Sequence, residues 1–122
     1  MEEPVVRDRL GSERQTTLAR IEAMTIDFDG IVAAASGANI DDEHDPEGST
    51  IAYERAQIGA LLSAARAYLE DLDLALTRLD AGTYSTCERC RAPIGSERLT
   101  ARPAARICIG CASSSCPDAG AH

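Results

Sequence analysis

Four cysteines in two C-x2-C pairs constrain this 122-residue chain more than any other feature: Cys87 and Cys90, then Cys108 and Cys111, with seventeen residues between the pairs. In a compartment that keeps thiols reduced, paired C-x2-C units read as metal ligands sooner than as disulfides. Two such knuckles can set four thiolates tetrahedrally at about 2.3 Å around one Zn²⁺. A site saturated by sulfur has no open position for water or substrate, so the ion would be structural. Redox-active dithiols are the alternative, but the βαβ setting of a thioredoxin-type motif is missing. Cys116 stands outside the pattern and is expected to be a free thiol.

The rest of the chain reads as helix. From Thr50 to Ala81 there is no proline. Ile51, Ile58, Ala65, Leu72 and Leu79 recur every seven residues, with Leu62, Leu69 and Leu76 at the alternate positions. That is a coiled-coil seam, with Ser49 expected as its N-cap and Gly82 as the residue just past its end. Upstream, Leu18, Ile21, Thr25, Phe28, Val32 and Ala35 step by three and four, marking a second stripe. Ser12 and Gln15 fit a capping box, so this first helix is expected to start near Ser12, with an earlier turn or short helix after Pro4. It should end around Gly37 to Asn39. Thirty residues of helix reach on the order of 45 Å and cannot bury a seam alone. The short linker therefore predicts an antiparallel hairpin, with Phe28 near Leu62; pairing between two copies is the alternative. The expected organisation is a helical hairpin over 1–82 with its tip at 41–48, a small four-cysteine zinc-finger segment over 83–112 and a tail over 113–122. Between the knuckles, Ile94, Leu99 and Ile107 are the only large apolar groups, so folding of that segment should be coupled to metal binding.

Charge is segregated along the chain. Residues 1–86 carry seventeen acids and seven arginines, a net −10, whereas 87–111 carry five arginines and two glutamates, a net +3. Between the helices, Asp41, Asp42, Glu43, His44, Asp45, Pro46 and Glu47 place five carboxylates in seven residues. Such a run ordinarily serves as a solvated turn. Five like charges at one turn nevertheless repel one another, and here they would stand at the end of a rod. An EF-hand fits poorly, because Pro46 occupies the place of the glycine that its sharp turn requires and no Glu stands at the twelfth loop position. Arg89, Arg91, Arg98, Arg102 and Arg106 offer a small basic face, but without lysines or aromatic stacking platforms, which argues against sequence-specific nucleic-acid binding. No apolar run approaches the roughly 20 residues of a membrane span, and Met1-Glu2-Glu3-Pro4 has no signal-peptide character, so a cytoplasmic protein is expected. No Ser/His/Asp or Cys/His arrangement and no phosphate loop suggests an enzyme.

A hairpin with an acidic tip, followed by Leu79-x-x-Gly82-x-Tyr84-x-x-Cys87-x-x-Cys90, then Ile94, Arg98-Leu99-x-Ala101-x-Pro103 and Cys108-x-x-Cys111, resembles the DksA/TraR C4 zinc-finger family. The resemblance is specific from about Asp71 to Ala112. It implies a mainly α fold, one structural Zn²⁺, and a protein that binds RNA polymerase and inserts the hairpin into its secondary channel; the intramolecular hairpin makes a monomer the expected state. Through it, Asp42 and Asp45 are the tip acids that approach the polymerase centre, with Asp41, Glu43, His44 and Glu47 beside them. Glu47 stands where the family has Ala, and Arg91 where it usually has Gly. The competing expectation is a zinc-containing, stress-associated interaction module with another partner, such as the ribosome.

Overall fold

The computed structural model describes residues 2–37 and 46–113, with side chains of 34–37 and 46–48 excepted. Four helices follow in order among the described residues: α1 (Glu3–Gly37), α2 (Pro46–Ala81), α3 (Ser96–Ala101) and α4 (Ile109–Ala112). Among the described residues there is no strand, only a lone antiparallel bridge between Thr86 and Pro93. The fold is thus a long antiparallel helical hairpin followed by a small four-cysteine segment. No described helix is long and apolar enough to cross a membrane.

Both long helices begin earlier than the local signals indicate. α1 starts at Glu3 and runs through Ser12 without a break, so the capping box there is not used. Pro4 lies in the first turn, where its missing N–H costs nothing, and Val6 and Leu10 gain deep burial by continuing the helix. α2 starts at Pro46, not after Ser49, again with proline in the first turn. Its end is as expected. Gly82 adopts φ 78°, its N–H donates to Leu79 O at 3.2 Å, and the Thr83 N–H donates to Arg78 O at 2.9 Å. Those two bonds are a Schellman closure, which needs the left-handed conformation that glycine takes without strain.

The chain divides into two compact units, residues 1–15 with 68–122, and residues 16–67. In the first, Val6 and Leu10 of α1 and Leu72 and Ala75 of α2 share one core with Tyr84, Cys87, Ile94, Leu99 and Cys111. The helices run antiparallel there: Arg7 pairs with Asp80 at 2.6 Å and Arg14 with Asp73 at 2.7 Å, seven residues on in one helix and seven back in the other. Both pairs are exposed and screened by solvent, so they set register more than stability.

In the second unit, Leu62 and Ala65 of the α2 seam and Thr17 of α1 are buried, while Leu18, Ile21, Thr25, Phe28, Val32, Ile51 and Ile58 are half-buried. The side chain of Ala35 lies outside the described residues. Phe28 packs on Gly59, its Cε2 3.6 Å from where a Cβ would stand, with the Arg55 guanidinium 6.0 Å from the ring centre. The expected neighbour was Leu62. With α2 beginning at Pro46, the partner of Phe28 moves about one helical turn towards the N-terminus of that helix.

Candidate metal centre

The first knuckle is built by short-range backbone bonds. The Cys87 N–H donates to Ala92 O at 2.8 Å, the Arg91 N–H to Cys87 O at 3.1 Å and the Ile94 N–H to Ser85 O at 2.8 Å, which folds the chain back on itself around Cys90. The second knuckle opens α4, where Cys108 occupies the N-cap and the Ala112 N–H donates to Cys108 O at 2.9 Å. In each knuckle the later cysteine's N–H points at the earlier sulfur: Cys90 to Cys87 Sγ at 3.5 Å, and Cys111 to Cys108 Sγ at 3.4 Å. The Glu88 N–H donates to Arg106 O at 2.9 Å, tying the two arms together.

All four sulfurs lie within 4.8 Å of one another; Cys87 and Cys111 are 3.6 Å apart, and Cys90 and Cys108 are 3.7 Å apart. A tetrahedron with arms of about 2.3 Å has edges of about 3.8 Å, so the donor set fits Zn²⁺ as it stands. As whole residues, Cys87 and Cys111 are buried and Cys90 and Cys108 half-buried, in keeping with a closed structural site. Burial pushes the Cys87 thiol up, but the backbone N–H groups of Cys90, Cys108 and Arg89, with the Cys111 side chain, outweigh it and bring it down to about 6. Donors already aimed at sulfur favour the thiolate that a metal requires.

Residues 82–115 match the family model described as the prokaryotic dksA/traR C4-type zinc finger. That segment is similar to a DksA/TraR-type zinc finger and contains all four paired cysteines. With its four clustered sulfurs, it supports one structural zinc ion. Among solved structures, the chain is similar to transcription factor DksA2 from Pseudomonas aeruginosa, with a TM-score of 0.74 and 28% identity, covering 91% of this chain and 80% of that one. Among curated proteins, it is 38% identical over 60 residues to an uncharacterised protein of Aquifex aeolicus. That match spans 49% of this chain and 41% of the relative.

The structure gives physical reasons for the finger's other motif positions. The buried Tyr84 hydroxyl donates to Pro103 O at 2.7 Å, locking the segment that enters the finger to the loop after α3. Burial raises its pKa, with Arg9 and Arg78 pulling the other way. Ile94 and Leu99 are buried, as expected; Ile107 is half-buried. Arg98 Nε donates to Ile107 O at 2.8 Å, just before the second knuckle. Arg91, where the family usually has Gly, has φ 67°, a left-handed conformation that costs a residue with a Cβ about 1 kcal/mol or more.

The basic face predicted beside the metal is partly assembled. Arg89, Arg98, Arg102 and Arg106 line a groove of about 600 Å³ with Tyr68, Asp71 and Glu88, while Arg91 does not line it. Three further residues contribute to the centre without any local sequence signal. Val6 and Leu10 carry α1 into the finger's core, and Arg78, at the end of α2, bonds the backbone of both arms. Asp41, Asp42, Glu43, His44 and Asp45 lie outside the described residues, as do the side chain of Glu47 and the whole of Cys116.

Proposed function

We propose that this chain is a DksA-type transcription regulator that binds RNA polymerase and carries the acidic turn of its hairpin into the secondary channel. The observation that supports this most is the likeness to a solved DksA2 over 91% of the chain, together with the matched finger at 82–115. In this reading Cys87, Cys90, Cys108 and Cys111 hold the zinc, and the finger secures the base of the hairpin. Asp42 and Asp45 act at the tip, with Asp41, Glu43, His44 and Glu47 setting the local charge. Carboxylates brought to a polymerase centre can perturb Mg²⁺ coordination, because that ion keeps several waters and takes carboxylate oxygens as ligands. The protein works in the cytoplasm as a monomer, without catalytic groups of its own and without reading DNA sequence.

The test is binding and transcription with the cognate polymerase core enzyme. Wild-type protein should be retained on the core and should alter initiation in vitro. Asp42→Asn combined with Asp45→Asn should abolish the effect on transcription and leave binding largely intact. Transcription identical with and without the wild-type protein, or retention on ribosomes in place of polymerase, would overturn the reading.

A further inference from the structure

Arg78 stands in the last turn of α2, with its side chain only 11% exposed. Its guanidinium donates to Thr83 O at 3.0 Å, to Thr86 O, and to Ala105 O at 3.4 Å, and its Nε lies 3.9 Å from Glu88 Oε1. These acceptors belong to both sulfur-bearing arms. Thr86 directly precedes Cys87, Glu88 lies inside the first knuckle, and Ala105 is three residues before Cys108. One side chain, anchored on a long helix, thus holds the approach to each half of the metal centre.

Helix capping does not account for it. The end of α2 is already closed by backbone bonds, Gly82 to Leu79 and Thr83 to Arg78, which need no side chain. We propose that Arg78 is a positioning residue of the zinc centre: it presets the spacing of the two knuckles, and so sets how firmly the finger retains its ion. A site whose arms are already held in place loses less freedom when it closes on a metal, and the groups that orient ligands govern affinity as the ligands themselves do. Arginine suits the task because its planar fork presents five N–H donors in fixed directions. A lysine ammonium is a point charge and cannot reach diverging carbonyls in the same way.

The test uses the full-length chain with zinc bound, its metal content measured first, and three variants: Arg78→Met, Arg78→Lys and Gly82→Ala. The last strains the helix end, since Gly82 has φ 78°, and leaves the arginine in place. Zinc transfer to a chromophoric chelator gives the release rate, Co²⁺ substitution reports tetrahedral sulfur ligation, and far-UV circular dichroism confirms that the helices form. Arg78→Met should release zinc about tenfold faster or more, in the range seen when groups behind metal ligands are removed. Arg78→Lys should fall between it and the wild type. Gly82→Ala should melt at a lower temperature yet release zinc at nearly the wild-type rate. Release from Arg78→Met no faster than from the wild type, or matched by Gly82→Ala, would overturn the proposal. If Arg78→Met does not fold, Arg78→Lys decides alone, and an unchanged release rate overturns it. A wild-type protein without zinc would defeat the inference at its premise, whatever its behaviour with polymerase.

Discussion

In the unit formed by residues 1–15 and 68–122, Leu10, Leu72, Ala75 and Cys87 have no exposed surface at all, whereas in residues 16–67 the best-buried members of the α2 seam, Leu62 and Ala65, keep 6% and 8%. Phe28, Ile51 and Ile58 remain half-buried there, and Ile26 is 64% exposed. Helices of similar composition therefore reach different degrees of burial. Two helices packed side by side cover one stripe on each and leave its flanks to water. Where the finger adds a third layer, the stripe is sealed. The finger is too small to fold on its own apolar groups, so the dependence runs both ways: Val6, Leu10, Leu72 and Ala75 complete the core around Cys87 and Cys111.

Removing the metal is the hardest way to break this contrast. A structural zinc contributes on the order of 10 kcal/mol of folding free energy. Chelation should therefore raise amide exchange across 83–112 and around Val6 and Leu10 towards unfolded rates, with residues 50–66 little affected. Hydrogen exchange read by mass spectrometry distinguishes this from a uniform rise, which would mean that the two units unfold together. A finer probe is to truncate one seam residue in each unit. Leu72→Ala should cost about 3–4 kcal/mol and Leu62→Ala about 2, because a fully enclosed site leaves a larger unfilled cavity. Urea denaturation measures both, and the opposite order would show the distal seam to be the better packed. The smallest effect, and the only stabilising one, is expected from Arg91→Gly. Relieving a left-handed residue should add about 1 kcal/mol to the holo-protein, seen as a higher denaturation midpoint. No gain would mean that the Arg91 side chain recovers its backbone strain through contacts of its own.

Local and periodic features were legible without coordinates. The C-x2-C pairs place sulfurs by short backbone turns, the α2 seam repeats every seven residues, and Gly82 ends the helix where left-handed backbone is required. The start of α1 was not legible. Ser12 and Gln15 carry a good capping pattern, but the burial of Val6 and Leu10 in a core formed mainly by residues some seventy to a hundred positions later outweighs it. Thr17 carries no seam signal, because a threonine is polar, yet it is among the best-buried side chains of α1. Arg78 was indistinguishable from the other eleven arginines, since its partners are backbone carbonyls and these leave no mark in a sequence.

What the residues alone determined is the chemistry of the metal site and the face that α2 presents, because both depend on spacings of a few residues repeated in a fixed pattern. What only the tertiary structure decided is how far α1 extends, the register in which Phe28 meets Gly59, and which arginine braces the knuckles. Those choices are made by burial and by carbonyl acceptors contributed from distant parts of the chain, where proximity in space owes nothing to proximity in sequence.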